Sequence, residues 1–151
     1  IFRYAEVLLS YAEAENELNG PSAEVYGLLN QIRNRVGMPN VDQSKYGSKE
    51  MLRELIRRER SVELAGEGLR RLDIIRWKDA SGKMVAETVL NAPLMAITGT
   101  IDTNEADPTK RAVITGSELV EERTFKPFHR YLPIPQSAMD KNDQLKQNDG
   151  Y

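Results

Sequence analysis

The stretch from Glu59 to Trp77 constrains the fold more than any other part of this chain. On a helix, Glu59, Glu63 and Glu67 fall four residues apart and share one face. Three aligned carboxylates repel one another unless cations lie beside them. Arg70, Arg71 and Arg76 follow closely, and Arg33, Arg35, Arg57 and Arg58 precede the stripe. Forked guanidiniums set against such a stripe hold helices in one register. The stretch is therefore expected to be helical, with Glu59, Glu63, Glu67, Arg70, Arg71 and Arg76 forming a structural ion-pair network.

Apolar spacing places the remaining helices. Over residues 2–19, Tyr4, Leu8, Tyr11 and Leu18 recur at the helical period, while Ala5, Leu9 and Ala12 make a second face. A helix apolar on two faces expects partners on both. Asn19, Gly20 and Pro21 stop it, and a second helix over 22–36 presents Val25, Leu28, Leu29, Ile32 and Val36. Two helices joined by so tight a turn form a tetratricopeptide-like hairpin, which usually needs neighbours to bury its core. Ser48 is the expected N-cap of a third helix running to Gly66 or Gly68, with Glu50 in its first turn. A short fourth helix follows, driven by Leu69, Leu72, Ile74, Ile75 and Trp77 and ended by Ser81 and Gly82.

The character changes after residue 83. A short helix is predicted from Met84 to Leu90, and a loop over 98–110, which is rich in Thr, Gly, Asp, Asn and Pro. A small β-hairpin is predicted from Ala112 to Thr115, through Gly116 and Ser117, and onward from Leu119. Pro127, Pro133 and Pro135 keep the next segment extended. A short helix and a tail complete 136–151. The fold class is mainly α, with a helical part over 1–80 (hairpin 2–36, helices 48–80). An irregular C-terminal section, 81–151, packs on it as one structural unit.

Composition removes several functions. Lys plus Arg number 21 against 23 acidic residues, so a net charge of -2 offers no electrostatic case for nucleic acid. No apolar run approaches the ~20 residues of a membrane helix. The absence of cysteine leaves neither a disulfide framework nor a thiolate metal site.

Possible sites are few. A di-metal carboxylate bundle needs Glu-x-x-His pairs, and the single His129 falls in the irregular tail. Asp102 to Asp107 offers oxygen ligands but lacks the glycine and the distal Glu of a calcium loop, so it is read as a solvated loop. No nucleophile motif, phosphate-cradling loop or zinc spacing is present, and neither a catalytic residue, a cofactor nor a metal is assigned. Aromatic rings stack on sugars. Tyr4, Tyr11 and Trp77 sit at core spacing and are assigned to packing, whereas Tyr46, Phe128, His129 and Tyr131 lie in loops and are the candidate ligand contacts.

These residues also carry a resemblance. The run from Glu59 to Trp77 resembles the ER-x-x-EL-x-x-EG-x-R-x-x-D-x-x-RW segment of SusD/RagB-type glycan-binding lipoproteins. Arg3 to Leu9 with Tyr11 to Ala14, then Leu29 to Arg35, agree in order. So do Tyr131 to Gln136 with Gln147, Asn148, Gly150 and Tyr151. The chain departs from the family pattern at Asp143 and Asp149, where proline is frequent, and at Gly66, where an aromatic is common. It opens on Ile1 without an initiator Met, signal segment or lipid-attachment Cys, and is read as the C-terminal portion of a longer chain.

The resemblance implies a non-enzymatic protein on the outer membrane of a Gram-negative bacterium, exposed at the cell surface and held by a lipid anchor on an N-terminal part not in this sequence. Its partners would be an oligosaccharide or polysaccharide and a SusC-like TonB-dependent transporter. Two other readings are a helical-repeat scaffold that binds only protein and a glycan-active enzyme with two convergent carboxylates. Apolar surface left open by absent helices makes self-association an expectation.

Overall fold

The computed structural model describes residues 3–106 and 110–151, which divide into two compact units between Arg70 and Arg71. The first unit is built on three helices: α1 (Tyr4–Asn19), α2 (Ala23–Arg35) and α3 (Lys49–Glu63). Gly20, at φ +79°, closes α1 by donating its N–H to the Asn16 carbonyl at 3.0 Å. Ser22 caps α2 by accepting from the Val25 N–H at 3.2 Å, and Ser48 caps α3 by accepting from Met51 in the same way. Arg33 and Arg35 occupy the last turn of α2, where the helix dipole favours cations.

Leu8, Leu9 and Ala12 of α1 meet Val25, Leu28, Leu29 and Ile32 of α2 and Leu52, Leu55 and Ile56 of α3 in one core. Each fully buried side chain of this size contributes roughly 2 kcal/mol by leaving water. The first helix is two-faced, but its faces divide differently from the sequence expectation. Leu8 turns inward with Leu9, Ala12 and Asn16, while Tyr4, Val7, Tyr11 and Leu18 stay exposed. Tyr4, Tyr11 and Leu18 recur every seven residues, which carries an exposed stripe along the helix, and the Tyr11 hydroxyl donates from it to Glu24 of α2. Assigning Tyr4 and Tyr11 to core packing is therefore corrected; Trp77 is buried.

The third helix ends at Glu63, short of the glycines expected to stop it. Gly66 and Gly68 both hold positive φ and shape the turn that follows. Glu67 therefore lies beyond the helix, and only Glu59 and Glu63 share its face.

The second unit is held by a smaller core and by side chains that bond backbone. Its elements are α4 (Arg70–Arg76), α5 (Val85–Val89), β1 (Leu94–Ile101), β2 (Ala112–Glu121), a 3-10 turn (Pro127–Arg130) and α6 (Gln136–Met139). Ile74, Trp77, Met84, Ala86 and Phe125 form the core. Irregular chain must still satisfy its N–H and C=O groups. Asn91 does this for Phe125, accepting from its N–H at 2.6 Å and donating to its carbonyl at 3.0 Å. Arg123 donates to the carbonyls of Ala92 and Val89, and Asp79 accepts from the Ser81 and Lys83 N–H groups.

The β-hairpin is present but larger than predicted. Gly116 and Ser117, read as its turn, lie inside β2, and the partner strand is 94–101. Gly116 faces Thr98 beside a register shift, so the glycine marks a bulge rather than a reversal. The predicted loop over 98–110 accordingly gives up its first residues to β1. Among the described residues, no helix is long and apolar enough to cross a membrane.

Candidate functional site

The carboxylate stripe sits where α1, α2 and α3 come together. Glu59 on α3 takes Arg33 of α2. One turn later, Glu63 accepts from Arg35 Nη2 at 2.8 Å on each oxygen and from Arg3 Nη1 at 2.9 Å. Arg3, the residue before α1, also donates its Nε to Glu67 at 2.9 Å and its Nη2 to the Glu63 carbonyl at 2.7 Å. Glu67, above all, and then Glu63 hold the Arg3 guanidinium above its usual pKa, and Arg3 holds the Glu67 carboxyl below its own.

Two of the downstream arginines, Arg71 and Arg76, have partners away from the stripe. Arg70 opens α4. Arg71 donates to the His129 carbonyl at 3.0 Å, and Arg76 donates to the buried carboxylate of Asp73 at 2.9 and 3.1 Å while covering the Trp77 ring.

A hollow of about 470 Å³ opens beside this stripe between α2 and α3. Ile32, Val36, Met38 and Val62 give it an apolar lining, with Arg33, Arg58, Glu59 and Glu63 at its wall. Both glutamates are already engaged by guanidiniums, which suits a structural clamp and leaves no uncommitted acid–base pair there. Sequence reasoning misses Arg60. It is buried and donates to Ser10 Oγ at 3.1 Å, tying α3 to α1. The signal lies in the series Leu52, Ile56, Arg60, Leu64, which puts an arginine in a core register.

The four candidate aromatics divide between the two units. Tyr46, in the first, is pinned: its hydroxyl accepts from Arg58 at 2.7 Å, and its carbonyl accepts from the Tyr26 hydroxyl at 2.9 Å. The Arg58 guanidinium holds the Tyr46 hydroxyl below its usual pKa. Phe128 and His129 lie together in the second unit, 4.3 Å between ring centres, and both pack on Tyr151. His129 Nδ1 accepts from the Lys126 N–H at 3.1 Å. Tyr131 is the most open of the four, 52% exposed, with Arg130 4.7 Å over its ring.

These last residues belong to a latch that explains why the two tail motifs occur together. Prolines at 133 and 135 deny the segment from Tyr131 to Gln136 a regular ladder. Gln147 supplies one instead: its side-chain oxygen accepts from the Ile134 N–H at 2.8 Å, and its Nε2 donates to the Ile134 carbonyl at 3.0 Å. Asn148 Nδ2 donates to the Leu132 carbonyl at 2.8 Å, and the Tyr151 hydroxyl donates to the Tyr131 carbonyl at 2.8 Å. Gly150, at φ +100°, lies flat on Phe128.

Asp102 caps its own loop by accepting from the Asn104 N–H at 2.9 Å; Asp107, the other end of that acidic segment, lies outside the described residues. Among the described residues, no group of three or more metal-ligating side chains comes together.

A hairpin of helices clamped by arginine to a third helix, followed by a unit closed by a tail latch, defines a mainly helical protein of a recognisable kind. The chain belongs to the SusD family, whose sequence profile matches residues 1–151. A SusD-like protein of Formosa agariphila is 45% identical over 78 residues, which is 51% of this chain and 15% of that protein. A second from the same organism is 40% identical over 86 residues, 53% of this chain and 17% of the relative. The matched part thus spans less than a fifth of the length of either relative.

Two solved structures are similar. A SusD-like protein from Bacteroides fragilis superposes with a TM-score of 0.72 at 29% identity, covering 99% of this chain and 25% of that one. A SusD superfamily protein from Parabacteroides distasonis gives a TM-score of 0.66 at 25% identity, covering 100% and 27%.

Proposed function

We propose that this chain is part of a non-enzymatic receptor that captures oligosaccharides or polysaccharides at the cell surface. It would deliver them to a SusC-like TonB-dependent transporter in the outer membrane of a Gram-negative bacterium. The observation that carries this reading is the family match over all 151 residues, since SusD-like proteins generally bind glycans for such transport. The physical role of this segment is rigidity. Guanidinium clamps between helices and a latched tail hold neighbouring surfaces in place, which a binding site needs if it is to meet a sugar without reorganising. Of the candidate aromatics, Tyr131 is the most exposed; Arg130 lies over its ring on one side, and stacking on a pyranose would use the other.

The test is calorimetric titration of the protein against a panel of oligosaccharides, each mixture being analysed afterwards for cleavage. Heat with one glycan class and no cleaved product is the expected result; cleavage would replace the receptor with an enzyme. The exposed stripe of Tyr4, Tyr11 and Leu18 on α1 favours one competing reading, a helical-repeat scaffold that binds only protein. The absence of heat with any sugar would move the assignment there.

A further inference from the structure

One run of the second unit is unevenly charged. Between Arg123 and Met139 lie Arg123, Lys126 and Arg130, together with His129, and neither an Asp nor a Glu. The chain as a whole is net acidic, at -2, so the excess of cations belongs to this segment. Arg71 adds to it by donating to the His129 carbonyl at 3.0 Å. A guanidinium bonded to a neutral carbonyl keeps its whole charge, whereas Arg33 and Arg35 are each set against a glutamate.

The turn Pro127–Arg130 gathers these groups. Lys126 precedes it and is tied in by its N–H, which donates to His129 Nδ1 at 3.1 Å; Arg71 reaches its third residue, and Arg130 ends it. Arg71, Lys126 and Arg130 are all exposed. Residues 147–151, which close the latch, bring back a single acid, Asp149.

Tyr131 follows at once. The latch holds this residue by its carbonyl, which accepts from the Tyr151 hydroxyl at 2.8 Å, so the ring itself is not spent. Arg130 fixes one side of that ring from 4.7 Å. The other side can take the apolar face of a pyranose at little ordering cost. A neutral sugar would gain from the stacking alone. An acidic one would gain also from the cations, each weak by itself at an exposed site but acting together where only one acid opposes them.

Resting on the receptor reading above, we propose that the glycan taken here is acidic, an oligosaccharide or polysaccharide bearing carboxylate or sulfate groups. Tyr131 stacks under one pyranose, while Arg130, Lys126 and Arg71 attract the anions of that unit and its neighbours. Binding of this kind weakens as salt screens the charges.

The experiment is calorimetric titration of the full chain with an oligogalacturonate, a sulfated galactan oligosaccharide and a neutral malto-oligosaccharide, each at low and high salt. Tighter binding of one acidic probe, lost in part at high salt, is the expected result, and which probe binds assigns the anion as carboxylate or sulfate. Arg130→Gln should weaken that probe about twofold to fivefold and Tyr131→Ala about tenfold, while Asp149→Asn should tighten it. Hydrogen exchange at the Ile134 amide, which donates to Gln147, should stay unchanged in these variants and shows that the latch remains closed. A neutral probe bound as tightly as the acidic ones, or an acidic probe indifferent to both Arg130→Gln and Tyr131→Ala, overturns the proposal and leaves the receptor standing. No heat with either acidic probe overturns it as well, and the receptor reading then stands or falls on the wider glycan panel alone.

Discussion

Replacing Gly150 by alanine tests the tail latch most sharply, because two separable costs meet there. The backbone stands at φ +100°, where a Cβ costs ~1–2 kcal/mol. The added methyl would also lie 2.5, 2.7 and 2.9 Å from three atoms of the Phe128 ring. That ring is itself held edge-on against His129 and Tyr151, 4.3 and 5.2 Å between centres, so it has little room to retreat. Overpacking of this kind costs ~1–3 kcal/mol.

Gly82 is the control. Its φ of +82° is comparable, but a methyl group added there would meet nothing within 4 Å, so Gly82→Ala should show the backbone cost alone. The readout is native-state hydrogen exchange at the Ile134 amide, which donates to Gln147 in the latch. The two costs together, ~2–5 kcal/mol, mean that Gly150→Ala should speed that exchange about thirtyfold to a few thousandfold, at ~1.4 kcal/mol per decade, and Gly82→Ala should leave it nearly unchanged. If both variants moved the Ile134 amide equally, or neither did, the packing of Gly150 on Phe128 would not be what closes the tail.

Three further outcomes are expected. Gln147→Glu keeps the acceptor for the Ile134 N–H but removes the donor to its carbonyl, so urea unfolding should lose about 1–3 kcal/mol; an unchanged midpoint would remove Gln147 from the latch. Glu63→Ala should lower the melting temperature by roughly 4–8 °C, corresponding to about 2 kcal/mol. That is below the range for a fully buried pair, because the side chains of Arg3 and Arg35 are 37% and 57% exposed and regain water; glycan affinity should not change, and a variant with normal melting and lost binding would refute the structural role. Acid should weaken the first unit through Glu17, whose carboxyl is held below its ordinary value of 4.5, chiefly by the Arg53 side chain. A depressed carboxylate contributes stability that is fully present above about 4.5 and is lost as the pH falls through the lower folded value. Melts in the acid range should therefore show a loss below pH 4.5 that Arg53→Gln reduces, and identical acid profiles for the two proteins would exclude it.

Local signals were legible in the sequence wherever one residue type decides a conformation. Ser48 reads as a cap and is one, and the periodic leucines of α2 and α3 mark their buried faces. The family itself was visible in short motifs whose physical sense appears only in three dimensions: Gln147, Asn148 and Tyr151 make sense once their partners at 131–134 are seen. What sequence could not supply was which of two apolar faces turns inward. On α1, Tyr4, Leu8 and Tyr11 fit one period, yet Leu8 parts from the tyrosines because α2 and α3 lie on its side.

The hairpin was misplaced for a related reason. Gly116 and Ser117 have turn chemistry, and only the pairing with Thr98 and Ile97 shows that they continue a strand. Among the candidate site residues, Tyr46 looked free because its partner Arg58 is on another element.

The clamp at Arg3 has a mechanical meaning. A helix pulled from its end ordinarily unwinds turn by turn, each hydrogen bond yielding alone at low force. Here the residue that precedes α1 is fastened through one guanidinium to Glu63 and Glu67, far along the chain at the end of the third helix. Tension arriving ahead of α1 is passed at that point into the end of α3 and meets several charge-assisted bonds loaded together. The helical unit would resist such a pull as a block, yielding at the arginine before any turn of α1 begins to peel.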